Sequence, residues 1–318
     1  MRSKASPRLV ALLTVVALAL VGCGGSTNTE TASEAGARTI KVEHAQGTTE
    51  VPVNPKSVVT FDMASLDTLD TLGVDAIKGV PQQSVPKYLE KYAGDGYTNV
   101  GTLFEPDYEA LPALKPDLII VGGRSSAAYA ELAKTFTVID LSADSTKFLD
   151  SLNKNVTTLG QIFEKQDAAA SALSTLEGRI DKVKAAAGSA GTGLVLLTSG
   201  GELTAYGTGS RFDAVHSLFG VKPAVAKIKH EAQHGEAVSF EFVAQANPDW
   251  LLVVDRDAAT GESGKSAQQV LDNALVGRTT AWKSDQVVYL DPEAWYVVGG
   301  GLTSAGTMVG QFESAFPA

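Results

Sequence analysis

The chain has 318 residues, with 26 Lys and Arg against 36 Asp and Glu, a formal net charge of −10 and a single cysteine. This acidic balance excludes a non-specific nucleic-acid binder, and one cysteine excludes an intramolecular disulfide framework. The length is enough for one large or two medium hydrophobic cores.

The first elements concern location. Arg2, Lys4 and Arg8 form a positive start, followed by an apolar run from Leu9 to Val21 interrupted only by Thr14. The run is too short to span a membrane comfortably, so residues 1–22 read as a secretory signal. It ends in Leu20-Val21-Gly22-Cys23, which resembles the lipobox of bacterial lipoproteins. That assigns the lone Cys23 to lipidation, with palmitate among the acyl groups, because two or more chains anchor a protein stably where one does not. Residues 23–38 are rich in Gly, Ser, Thr, Ala and Glu and read as a flexible tether. The expected location is the extracytoplasmic face of a bacterial cell membrane. The mature chain, 23–318, carries a net charge of −13.

From residue 39 onward, strand-like runs alternate with helical ones. SVVTF (57–61) precedes a helix marked by Leu66, Leu69 and Leu72 and closed by Gly73; AIKGV (76–80) is the next strand. A helix over YEALPAL leads to Pro116 and the apolar strand DLIIV (117–121), of the kind buried on both faces. Helical YAELAKTF and the strand TVIDL (137–141) complete an α/β lobe over 39–164. The longest helical pattern, 148–187, has a weak joint near Glu164–Lys165. Its second part, with Leu173, Leu176, Ile180 and Val183 at three- and four-residue steps, predicts one long connecting helix over 165–188. A second α/β lobe over 189–318 opens with GLVLLT (193–198) and continues with DWLLVVD (249–255) and QVVYLD (286–291). The fold class is thus two Rossmann-like lobes joined by a single long backbone helix, with a ligand cleft between the lobes.

An internal repeat supports two similar halves. Glu109, Pro116-Asp117 and Arg124 recur as Glu241, Pro248-Asp249 and Arg256, each displaced by 132 positions. Each copy places an Arg at the C-terminal end of a strand, where open α/β sheets bind ligands. A third, Arg211, follows the Gly-rich YGTGS. A guanidinium stays charged and presents several N–H donors in one plane, suiting carboxylates and catecholate oxygens. Against an acidic background, three such residues point to an anion-binding cleft. Trp295, Tyr206, Phe104 and Met63 are candidate apolar walls.

Taken together, FDMASLDTLDTLG (61–73), EPDYEALPALKPDLIIVGGR (105–124), AYGTGSRFDAVH (205–216), HGEAVSFEF (234–242), NPDWLLVVDRD (247–257) and LDPEAWYVVGGGL (290–302) resemble the substrate-binding proteins of bacterial ABC importers for iron–siderophores and cobalamin. The subgroup that binds ferric catecholate siderophores matches best. The resemblance implies a binding protein without catalysis or intrinsic cofactor, whose transported ligand is an Fe(III)-siderophore. It implies that Arg124, Arg211 and Arg256 form a basic pocket, and that His234 and Tyr296 coordinate Fe(III) when the siderophore leaves two positions open. A phenolate is a hard ligand and imidazole an acceptable borderline one; His230 is the nearby alternative, His234 resting on the HGEA match. It further implies that Glu109 and Glu241 dock the loaded protein on an ABC permease dimer with its ATPase subunits, and that the protein acts as a monomer with no nucleic-acid partner.

Three rivals remain. An extracytoplasmic hydrolase lacks a G-x-S-x-G elbow, an H-E-x-x-H motif and a free Cys. A carrier of bare Zn(II) or Mn(II) calls for several convergent His and carboxylates, and the chain has only His44, His216, His230 and His234. A haem or cobalamin carrier of the same family is the nearest alternative, since haem carboxylates also suit Arg.

Overall fold

The computed structural model describes residues 38–228 and 235–317. The expected signal, Cys23, the tether up to residue 37, and His230 and His234 lie outside the described residues.

The described residues open with a hairpin of β1 (Thr39–His44) and β2 (Gly47–Pro52), with Val42 and Val51 turned into the core. It was not expected from the sequence. The first lobe continues with β3 (Val58–Thr60), α1 (Met63–Thr71), β4 (Ile77–Val80), β5 (Thr98–Asn99), α2 (Leu111–Leu114), β6 (Leu118–Val121), α3 (Tyr129–Leu132) and β7 (Val138–Asp140). Its sheet is wholly parallel, in the order β5-β4-β3-β6-β7. The unbroken apolar run of β6 has a physical reason. Leu118 and Ile120 face one core while Ile119 and Val121 face another on the opposite side of the sheet, so both pleat faces need apolar residues.

Next come α4 (Phe148–Ile162) and the 22-residue α5 (Gln166–Ala187). Between them the backbone turns at Glu164 with φ 56°, at the joint expected there. Leu173, Leu176, Ile180 and Val183 form the buried stripe of α5.

The second lobe comprises β8 (Thr192–Ser199), β9 (Glu202–Tyr206), α6 (Ala214–Ser217), β10 (Lys222–Pro223), β11 (Glu236–Val238), α7 (Phe240–Ala246), β12 (Trp250–Asp255), α8 (Arg256–Thr260), α9 (Ala267–Leu271), α10 (Thr280–Lys283), β13 (Val287–Leu290) and α11 (Leu302–Ala315). Its sheet runs β11-β9-β8-β12-β13, with β10 also on β8. Unlike the first, it is mixed: β9 returns antiparallel to β8 through Gly200 and Gly201, at φ 58° and 85°, the conformation a two-residue hairpin turn needs.

The internal repeat is visible in the backbone. Lys115 and Asn247, also 132 apart, both end their helices in the left-handed conformation, at φ 43° and 41°. The two Pro-Asp aspartates then pin equivalent neighbours. Asp117 accepts from the Lys56 and Ser57 amides before β3, and Asp249 from the Thr192 amide and hydroxyl at the start of β8.

The last helix departs from the simple two-lobe division. α11 packs on α5 and on α1 of the first lobe. The Asp67 carboxylate of α1 accepts the Thr303 and Ser304 amides at 2.7 and 2.8 Å and the Tyr88 hydroxyl at 2.9 Å. Gly301, the residue before α11, has no side chain to cap the helix, and a Cβ there would run into this carboxylate. Asp67 therefore serves as the helix cap from outside, across the lobes.

Candidate functional site: an arginine-ringed tyrosine in the cleft

A cavity of about 760 Å³ opens beside the C-terminal ends of the first-lobe strands. Arg124, Arg211 and Tyr296 line it together, with Asp62, Met63, Phe104 and Trp295 among the other walls.

Arg124 is placed by the turn that follows β6. Gly123 adopts φ 52°, and Gly122 passes so close to Asp62 that a Cβ would come within 2.9 Å of its carboxyl carbon. Asp140, buried at the end of β7, fixes this turn. It accepts from the Ser126 hydroxyl on one side and the Ser142 hydroxyl on the other, and Ser142 in turn accepts the Gly123 amide. Burial opposes ionisation of Asp140, but hydrogen bonds from Ser126, Ser142 and Gln46 outweigh it, and its carboxyl is held below the usual range. From this base the Arg124 guanidinium reaches across the cleft and donates to the Tyr296 and Val297 carbonyls at 2.7 and 3.1 Å.

Arg211 follows Gly209 (φ 79°) and is seated by its neighbour Phe212, which is fully buried. It lies 4.4 Å from the Tyr296 ring centroid and donates to the Tyr296 carbonyl at 3.2 Å. Arg256, the first residue of α8, donates through Nε to the Tyr296 hydroxyl at 3.1 Å. Arg256 is not among the cavity-lining residues. It stands behind the tyrosine and also pairs with Glu262 at 3.2 Å and Asp257 at 3.8 Å.

Tyr296 is presented by a single wide helical turn, Glu293–Val298, closed by the Gly299 amide on the Ala294 carbonyl. Such π-type turns are rare and concentrate at functional sites. Trp295 anchors it, buried against Phe212, Phe219 and Phe312 with its indole N–H on Gln311. Burial alone would raise the Tyr296 pKa. The Arg256 hydrogen bond and the charges of Arg211, Arg256 and Arg124 prevail, and the phenol titrates below the ordinary tyrosine value. Arg124 shifts down as well: burial first, then the Arg211 charge, lowers its pKa, against the opposing pull of Tyr296.

The structure thus brings Arg124, Arg211, Arg256 and Tyr296 around one point. Of the expected apolar walls, Met63, Phe104 and Trp295 line the cavity; Tyr206 is buried against Phe212 and is not among the lining residues. Asp62 lines the cavity without having been singled out from sequence. The signal was present, an Asp three residues before a Ser at a helix start, and it caps α1 through the Ser65 amide at 2.9 Å. Glu109 and Glu241 are exposed, each beside or within the start of its repeat helix.

A family model described as periplasmic binding protein matches residues 58–294. The chain is 40% identical over 305 residues to the petrobactin-binding protein YclQ of Bacillus subtilis, covering 95% of this chain and 96% of that one. It is 33% identical over 271 residues to the ferric-anguibactin-binding protein FatB of Vibrio anguillarum, covering 83% and 84% of the two chains. The crystal structure of YclQ matches with a TM-score of 0.84 over 88% of this chain and 99% of that one. That of the periplasmic catecholate-siderophore binding protein VctP of Vibrio cholerae, 32% identical, matches with a TM-score of 0.82 over 87% and 100%.

Proposed function

Because the chain belongs to the periplasmic binding protein family, we propose that it captures a ferric siderophore of catecholate type outside the cytoplasm and hands it, chemically unchanged, to an ABC permease. The observation that carries this reading is the convergence of three guanidinium groups on one tyrosine beside a cavity of about 760 Å³, in a chain whose net charge is −10. Ferric catecholate complexes are anionic, and charge-assisted hydrogen bonds from fixed Arg are the strong kind. Catecholate oxygens would take over the donors that Arg124 and Arg211 direct at backbone carbonyls. Tyr296, with its lowered pKa, can present a phenolate oxygen to iron at an open position of the complex. His234 is the proposed second ligand.

In the same reading, residues 1–22 are removed on secretion, Cys23 carries the lipid anchor, and Glu109 and Glu241 meet a two-fold symmetric permease as a pseudo-symmetric pair of acids. The test is a titration with a ferric bis-catecholate, following tryptophan quenching and the ligand-to-metal charge-transfer band. Tight binding that falls at least tenfold in Tyr296→Phe, with a shifted band, supports direct ligation. Failure to bind the catecholate, with haem or cobalamin bound instead, overturns the assignment.

A further inference from the structure

One aromatic residue in the described structure is both wall and surface. Phe104 lines the cavity that holds Arg124 and Tyr296, yet it remains 68% exposed. Its fellow walls Met63 and Trp295 are buried to 2% and 4% exposure and are committed to core packing. A large apolar side chain this open, on an ordered segment and in the wall of a cavity, is free to contact whatever the cavity binds.

The segment is tightly built. Gly101 takes φ 103°, and a Cβ there would come within 2.7 Å of the Asp107 amide nitrogen. The Thr102 amide bonds the Glu105 carbonyl at 2.9 Å, the Asp107 amide bonds the Val100 carbonyl at 2.8 Å, and the Thr102 hydroxyl accepts the Phe104 and Glu105 amides. At the tip, Leu103 is driven into the main core at 8% exposure. With Leu103 anchored inward and both flanks bonded, the next side chain is held outward at the cavity mouth. The fold thus spends a closed turn on presenting an aromatic ring to the place where ligand enters.

We propose that Phe104 is a specificity-determining residue whose ring stacks on an aryl ring of the bound siderophore, so that the cleft prefers ferric complexes with aromatic iron-binding groups. This rests on the siderophore reading above. Arg groups attract any anionic ferric complex, whereas a flat ring rewards another flat ring through offset or edge-on contact. The ring, 68% exposed, also gains burial on such contact.

The experiment compares Phe104→Ala, Phe104→Leu and Phe104→Trp with the wild type, measuring affinity and dissociation rate for a ferric bis-catecholate. Phe104 is exposed, so all three variants retain the fold, checked by thermal melting. Expected are a loss of about tenfold in affinity for Ala and Leu alike, carried mainly by faster dissociation, and near-wild-type affinity for Trp. The new indole should be quenched on binding. Leu as good as Phe would show that bulk, not the ring, matters, and would overturn the proposal. Unchanged affinity in every variant with reduced cellular iron uptake would also overturn it, assigning Phe104 to permease contact. If the wild type fails to bind the catecholate, the parent reading falls first, and this proposal with it.

Discussion

Arg256 and Tyr296, 40 residues apart in sequence, are joined by one hydrogen bond from Nε to the phenol oxygen at 3.1 Å. The bond stabilises the ionised phenol more than the neutral one, and it is the largest influence lowering the Tyr296 pKa. Arg256→Met removes donor and charge together, so the phenol should titrate at higher pH than in the wild type. Ultraviolet difference titration of phenolate absorbance reads this directly. Tyr206 does not interfere, because burial pushes its pKa upward. A titration curve untouched by the substitution would remove Arg256 from the site.

Arg124 and Arg211 should share the work of holding an anionic ligand. A hydrogen bond to a charged partner contributes about 1.5–3 kcal/mol, so Arg124→Gln and Arg211→Gln should each weaken ferric bis-catecholate binding by about tenfold to a hundredfold. Titration of the charge-transfer band measures it. Wild-type affinity in both variants would contradict an arginine pocket.

Asp67 is predicted to matter for stability. It receives two backbone amides and a tyrosine hydroxyl while buried. Asp67→Ala would leave those amides without a partner at the α11 N-terminus, at a cost of about 2–4 kcal/mol. Asp67→Asn keeps one acceptor oxygen and should lose less. Urea unfolding would show a lower midpoint with little change in slope.

His216 gives the protein an acid-side weakness. It is buried with Nδ1 at 2.8 Å from the Val221 carbonyl, and burial lowers its pKa. The unfolded chain takes up this proton near pH 6.5, whereas the folded chain resists it until lower pH. Its contribution is therefore complete above about pH 6.5 and fades as pH falls through the folded value. Unfolding midpoints measured from neutral to mildly acid pH should decline, and His216→Gln should flatten that decline. His44 shifts in the same direction, so some slope should persist.

Glu109→Ala and Glu241→Ala should reduce iron uptake in cells and leave ligand affinity unchanged. Altered affinity in the purified variants would place these residues in ligand binding instead.

Much of the fold was readable because its determinants are local. The leucine spacing of α1 and α5, the joint at Glu164 and the apolar run of β6 are periodic or conformational signals carried by adjacent residues. The repeat gave Arg124 and Arg256 their strand ends. The hairpins β1–β2 and β8–β9 were missed although their signals existed: exposed–buried alternation in one, Ser199-Gly200-Gly201 in the other. The capping role of Asp67 had no local signal, since the two amides it caps lie more than 230 positions away. Asp140 holds the Arg124 turn through Ser142, two positions away, and Ser126, 14 positions away, so half of its role is local. Arg256 likewise bonds Tyr296 and Ser199, 40 and 57 positions away, partners that only folded geometry brings into play.

The placement of α11 constrains the order of assembly. Its fourteen residues are the last regular element among the described residues, yet they complete a core begun by Leu66 and Leu69 of α1. A chain emerging N-terminus first can form its opening sheet early, but the apolar flank of α1 stays uncovered until the final turn arrives. Truncation before residue 302 should therefore destabilise the first lobe as much as the second. A cut in the joint near Glu164 should yield two fragments that fold together rather than apart.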